Sequence, residues 1–137
     1  GCLIVHVPYL SEIVVTNDLV ELDGQYRMKY LGRVDNVINS GGIKLLPEII
    51  EPKIAKLMSG RYFVVGIKDA VLGQRLCLIV EGMPLEPARE SILLNSIANQ
   101  LDKYEKPLEI YYLEHFEMTD SGKIQRGKCI EKLGLER

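Results

Sequence analysis

From Gly42 onward, short β-like runs alternate with two helical stretches, each opened by a proline, in an order that few folds accommodate. Pro47 stands where the first residue of a helix needs no N–H, and Ile49, Ile50, Ile54, Leu57 and Met58 follow at helical spacing until Ser59-Gly60 stops them. Pro52 removes one backbone bond of that helix, so a kink or a first turn set apart is expected. Residues 62–67 and 75–81 read as strands around a turn at 68–74. A second helix is predicted over 87–101, with Ala88, Ile92, Leu93 or Leu94, Ile97, Ala98 and Leu101 as its apolar stripe. Residues 108–113 form another strand after Pro107, and a short helix is expected around 126–133. With 43–46 as the first strand the order is β-α-β-β-α-β. That order implies an α+β class, a small sheet with helices packed on one face.

The first third reads differently. Residues 3–7 and 13–15 are short apolar runs separated by Pro8, and 19–22 lead into Asp23-Gly24, a type I′ hairpin signal. Tyr26, Met28 and Tyr30 alternate with Gln25, Arg27 and Lys29, the period of a strand with one buried face. That hairpin ends at Gly32. Val37-Ile38 and 43–46 then flank the turn-prone Asn39-Ser40-Gly41-Gly42.

With 47% apolar residues, 137 residues suffice for a core without covalent staples, and a net charge of −2 calls for neither nucleic acid nor an anionic membrane as partner. Cys2, Cys77 and Cys129 are scattered and odd in number, which argues against a disulfide framework or zinc site and suits a reducing compartment. Residues 3–7 are too short to span a membrane and lack the flanks of a signal peptide, so a cytoplasmic location is expected. The chain starts Gly-Cys, without an initiator methionine, and enters a strand-like run at once. It is read as a piece of a longer polypeptide.

The candidate chemistry is sparse. "SGK" at 121–123 is not a phosphate loop of the Walker type, because Glu117 occupies the position of its first glycine and Ile124 follows the lysine. By spacing alone it is a solvated polar loop. His6 and His115 have no metal-ligand spacing, no metal residues are assigned, and no Ser/His/Asp set is visible.

Taken together, "TND" at 16–18, "YLGRVDNVINSGGIKLLPEIIE" at 30–51, "YEKP" at 104–107 and "TDSGKIQR" at 119–126 change the picture. In this order and spacing they resemble the C-terminal end of an adenylate-forming acyl-CoA synthetase, of the family that includes luciferases and nonribosomal-peptide adenylation domains. The resemblance spans nearly the whole chain. It implies that 1–34 are the last strands of a large N-terminal domain and 35–137 a small mobile lid. It also implies a reaction in which a carboxylic acid attacks the α-phosphate of ATP, pyrophosphate leaves, and the thiol of CoA then displaces AMP from the acyl-adenylate. Magnesium and most ATP contacts are expected in the large domain.

Residue by residue, the resemblance makes Lys123 the catalytic cation, with Gly122 supporting a tight loop. Asp18 matches the carboxylate that accepts from the ribose hydroxyls, although Asn17 stands where the family has glycine. Arg33, in "GRVD", matches an arginine on the ribose and phosphate side of the nucleotide, and Asp35 the hinge. Ser40, Gly41, Gly42 and Lys44 match the loop that faces the CoA channel, whereas Glu48 and Glu51 read as a solvated helix face. The wording "GRVDNVINSGGIK" looks most like O-succinylbenzoate-CoA ligases of menaquinone synthesis, with a medium-chain or aryl acyl-CoA ligase as the rival. The same element order also suits a non-catalytic ligand-binding module. A KH-type RNA-binding loop, by contrast, wants G-x-x-G between helices and a basic face, neither of which is present.

Overall fold

The computed structural model of the chain describes residues 1–9 and 11–137. Two apolar runs, 63–67 and 76–80, contain no polar interruption, so both faces of the strands they form must be covered. They become β6 (Tyr62–Asp69) and β7 (Gly73–Glu81), an antiparallel hairpin in register from Tyr62↔Val80 to Asp69↔Gly73. Asp69 closes its turn by accepting the N–H groups of Val71 and Leu72, each at 2.8 Å. Strand β8 (Glu109–Leu113) pairs with β7 in parallel, and a parallel pair needs a crossover, which α2 (Pro87–Gln100) supplies. Strands β4 (Ile38–Ser40) and β5 (Ile43–Leu45) form a second hairpin, joined to β7 at Ser40↔Gly73. The sheet order is β5-β4-β7-β6, with β8 also on β7.

The two faces of this sheet carry separate cores. Ile38, Val64 and Leu78 pack with Ile50 and Ile54 of α1 (Pro47–Ile54) and Ile97 of α2. On the other face, Phe63, Val65, Cys77 and Ile79 pack with Phe116 and with Cys129 and Ile130 of α3 (Arg126–Lys132). Phe63 and Phe116 meet edge-on, with centroids 5.2 Å apart. The expectation of helices on one face is therefore corrected: α3 and the segment before it cover the opposite side. Fully buried side chains such as Phe63, Ile38 and Leu78 each stabilise the fold by on the order of 1.5–3 kcal/mol.

Several local expectations shift. Strand pairing and two-sided burial confirm the α+β class and the β-α-β-β-α-β order. The first helix runs through Pro52 and instead changes character at Ile54 (φ −107, ψ 0), where a 3-10 turn, Ala55–Leu57, takes over. Ile92 is exposed, so the stripe of α2 narrows to Leu93, Ile97 and the following Leu101. At the N-terminus, β1 (Cys2–His6), β2 (Ile13–Leu22) and β3 (Met28–Arg33) make an antiparallel sheet in the order β1-β2-β3. The runs 13–15 and 19–22 are joined through residues 16–18 into one ten-residue strand. Its hairpin to β3 is not type I′: Tyr26, at φ 65, takes the left-handed position, while Asp23 accepts the N–H groups of Gln25 and Arg27 through Oδ1. This sheet buries only Val20 and Gly32 and leaves Ile4, Ile13, Val15, Leu22 and Met28 exposed.

A Cβ on Gly66 would lie 2.6 Å from Ile38 Cγ2, between two packed elements with no room to part. Gly66→Ala is expected to cost about 1–3 kcal/mol, read as a lower thermal midpoint, and an unchanged midpoint contradicts this packing. Burial pushes the Cys77 thiol up to about 11 and also raises that of Cys129, whereas Cys2 is exposed. Iodoacetamide at about pH 8 is therefore expected to modify Cys2 alone in the native chain and all three cysteines in denaturant, with mass spectrometry as the check.

Candidate functional site

Asp18 and Arg33 are direct partners across β2 and β3. The Arg33 guanidinium sits between two carboxylates, 3.6 Å from Asp18 Oδ1 and 3.7 Å from Asp35 Oδ2. Contacts this long between half-exposed groups are loose ion pairs, worth little to stability and easily exchanged for a ligand. Thr16 keeps the strand extended here: its hydroxyl donates to the Leu3 carbonyl at 3.0 Å and accepts the Asp18 N–H at 3.2 Å. Asp35 occupies a 3-10 turn, Val34–Asn36, directly after β3. Asn17 Nδ2 donates to its carboxylate at 3.1 Å, and Arg137 Nη2 donates to its backbone carbonyl at 2.7 Å. The asparagine that departs from the family pattern thus contacts the expected hinge.

Helix α1 touches this corner through Glu48, whose Oε1 accepts from Asn36 Nδ2 at 2.6 Å and from the Arg33 N–H at 3.3 Å. Gly32 makes that approach possible, because a Cβ there would lie 2.7 Å from Glu48 Oε2. Farther along the same helix, Glu51 receives both arms of Arg126, Nη1 at 2.6 Å and Nη2 at 2.9 Å, and also the Val64 N–H at 2.8 Å. Neither glutamate belongs to a solvated face, which corrects the sequence reading. Glu48, Glu51 and Arg126 were not picked out as site residues. All three stand inside the stretches 30–51 and 119–126 that carry the resemblance, but Arg126 lies 75 residues from its partner, beyond the reach of any spacing rule.

Ser40, Gly41, Gly42 and Lys44 lie on the β4–β5 hairpin. Gly41 (φ 58) and Gly42 (φ 81) both take left-handed conformations, which is the type I′ turn that glycine permits without strain. The Gly41 N–H donates to the Leu72 carbonyl at 2.9 Å. Ser40 and Gly41 line a cleft of about 290 Å³ whose far wall carries Lys103, Tyr104 and Lys106, whereas Lys44 lies exposed outside it.

Lys123 sits on a small hairpin bridged at Met118↔Ile124. Thr119 anchors the loop: its N–H donates to the Lys123 carbonyl at 2.7 Å, its Oγ1 accepts the Lys123 N–H at 3.0 Å, and its carbonyl accepts the Gly122 N–H at 2.9 Å. That turn holds Gly122 at φ 82. At the hairpin's base the Gln125 N–H donates to the Glu117 carbonyl at 2.8 Å, and Lys132 beside Glu117 holds its carboxyl below the usual range. The Lys123 ammonium is exposed and forms no ion pair among the described residues. The structure therefore brings Asp18, Arg33 and Asp35 together, and leaves Ser40–Gly42 and Lys123 on two separate turns. Among the described residues no three His, Cys, Asp or Glu side chains are grouped as a metal ion requires.

No protein-family model matches the chain. A mitochondrial medium-chain acyl-CoA ligase of Rattus norvegicus is 26% identical over 124 residues, covering 86% of this chain and 19% of the relative. A salicylyl-CoA synthase / salicylate adenylyltransferase of a Streptomyces species is 30% identical over 113 residues, covering 81% and 20%. The crystal structure of an acyl-CoA synthetase (AMP-forming)/AMP-acid ligase II-like protein from Dyadobacter fermentans superposes with a TM-score of 0.70 at 35% identity, covering 89% of this chain and 36% of that one. The chain thus spans about a fifth of the length of the curated relatives it matches. Its relatives and structural neighbours are AMP-forming acyl-CoA synthetases, and its α+β fold matches the C-terminal domain of adenylate-forming enzymes.

Proposed function

We propose that the chain is the C-terminal part of an AMP-forming acid–CoA ligase, with 1–34 completing a preceding large domain and 35–137 forming the lid. The observation that carries this reading is the corner where Asp18, Arg33 and Asp35 meet, an acceptor, a donor and a pivot in loose mutual contact. Asp18 accepts from the paired ribose hydroxyls of ATP, which an ionised carboxylate does without a donor of its own. Arg33 turns its planar fork toward the nucleotide. Asp35, between β3 and β4, absorbs the backbone rotation by which the lid changes partners.

In this reading Lys123 serves the first half-reaction. The carboxylate oxygen forms a bond to the α-phosphorus while the bond to the leaving pyrophosphate breaks, and both reactants are anions. A positioned ammonium stabilises the shared charge without having to transfer a proton. After rotation the side-chain-free turn at Gly41-Gly42 borders the arm of CoA, whose sulfur bonds to the acyl carbon as AMP leaves. The cleft beside Ser40 and Gly41 supports that part, and Lys44 contributes from the same hairpin's outer side. The exposed apolar side chains of the N-terminal sheet suit a surface that the large domain covers. Magnesium and most contacts to ATP belong to that domain.

The wording of residues 32–44 supports O-succinylbenzoate, and hence menaquinone biosynthesis, as the acid and its setting. The names of the relatives instead favour a medium-chain or aromatic acid. The free thiols support action in the cytoplasm, whereas the rat relative is mitochondrial. Among the described residues no helix is long and apolar enough to cross a membrane.

The full-length polypeptide is expected to catalyse ATP–pyrophosphate exchange that depends on a carboxylic acid, and comparing O-succinylbenzoate, octanoate and salicylate identifies the acid. Absence of exchange with every acid favours the non-catalytic ligand-binding module. Lys123→Ala is expected to slow exchange on the order of 10²- to 10³-fold while sparing thioester formation from supplied acyl-adenylate. Equal loss in both assays rejects the step-specific role. Asp35→Pro, by fixing φ at the pivot, is expected to depress one half-reaction at least about tenfold relative to the other; unchanged rates in both assays count against the hinge.

A further inference from the structure

We infer that the Glu51–Arg126 ion pair is the positioning element for Lys123, an inference that rests on the proposed role of Lys123 in adenylation. Lys123 lies on an exposed turn, and a cation placed there by loop residues alone would wander by more than charge stabilisation tolerates. Its hairpin is tied at the base on both sides. The outgoing strand begins at Glu117, whose N–H meets Cys129 Sγ at 3.3 Å and whose carboxylate pairs with Lys132. The returning strand runs from Lys123 through Ile124 and Gln125 into Arg126, the first residue of α3.

Arg126 is held more firmly than any other part of that loop. Its guanidinium grips Glu51 with both arms, donates to the Val64 carbonyl at 3.2 Å and lies 5.4 Å from the centre of the Phe63 ring. Side-chain exposure is only 21% for Arg126 and 17% for Glu51, so water competes weakly for the pair. Helix α3 has seven residues, too few to hold its own first turn in place. The ion pair supplies that constraint, and it does so from α1, the helix that follows the Gly41-Gly42 hairpin and reaches Asn36 and the Arg33 N–H through Glu48. The proposed lysine turn, CoA turn and hinge are thereby referred to one rigid helix.

A purely structural part is the competing account, since the pair also occupies both backbone groups of Val64 on the edge strand β6. Kinetics of the full-length polypeptide separate the two. Arg126→Gln is expected to lower kcat of ATP–pyrophosphate exchange about 10- to 100-fold, with KM for ATP changed less than about threefold and thioester formation from supplied acyl-adenylate nearly intact. Arg126→Lys keeps the charge and loses the fork, and is expected to recover only part of the rate.

The decisive comparison is the double variant Lys123→Ala with Arg126→Gln. If Arg126 acts through Lys123, the second change costs almost nothing once the lysine is gone. Independent, multiplying losses overturn the inference, as does an equal fall of both half-reactions that follows the loss of folded protein. Should Arg126→Gln not fold, Arg126→Lys and Glu51→Asp are judged by the same criteria. An unaffected exchange rate in Lys123→Ala alone would reject the role of Lys123 itself, and the positioning role with it. An intact Lys123 effect with multiplying losses rejects only the positioning role.

Discussion

Burial on both faces of β6 and β7 is the constraint from which the rest of the five-stranded unit follows. A strand pair with apolar side chains on each side is stable only between two covering layers, and here α1 and α2 supply one and α3 with the segment before it the other. The parallel placement of β8 against β7 requires the crossover through α2. The two-sided demand also forces the chain after β8 to cross to the far face, which packs Met118 and Ile124 of the Lys123 hairpin against that core and brings Arg126 to Val64 of β6. The turn that bears the candidate chemistry is thus a by-product of covering Phe63, Val65 and Ile79.

Charge is placed with the same economy. α1 buries Ile50 and Ile54 against the sheet and turns Glu48 and Glu51 toward neighbours that are not in solvent. Glu48 engages the segment around Asp35, and Glu51 engages the first residue of α3. Partly buried carboxylates persist when every oxygen that leaves water finds a donor. Glu51 meets that condition with Arg126 and the Val64 N–H. The contrast with Arg33, whose ion pairs are 3.6 and 3.7 Å long and half-exposed, marks a difference between a fixed joint and a corner left open to exchange.

The N-terminal sheet has another character. It adds no residue to either core, buries only Val20 and Gly32, and exposes apolar side chains on β1, β2 and β3. Three strands without a covering layer are marginal in water. Its geometry still matters for the candidate site, because the β2–β3 register sets Asp18 opposite Arg33 and delivers the chain to Asp35.

Local signals were legible where chemistry and chain geometry coincide. The prolines at 47 and 87 marked both long helices, Gly41-Gly42 marked a turn, and the order of strands and helices from Gly42 onward could be read directly. The motifs singled out Asp18, Arg33, Asp35 and Lys123 as candidates, and the β2–β3 register sets the first two side by side while Asp35 follows Arg33 closely in the chain. Asp23-Gly24 misled, since a turn signal competes with side-chain bonds such as those from Asp23 Oδ1, which made Tyr26 the left-handed residue. What only tertiary structure decided was which face each layer covers and where Glu48, Glu51 and Arg126 point. The unbroken apolar runs at 63–67 and 76–80 contained the hint of two-sided burial, but not which segment would provide the second layer. Partners 75 residues apart meet because α1 and α3 converge on β6, and no periodicity along the chain encodes that meeting.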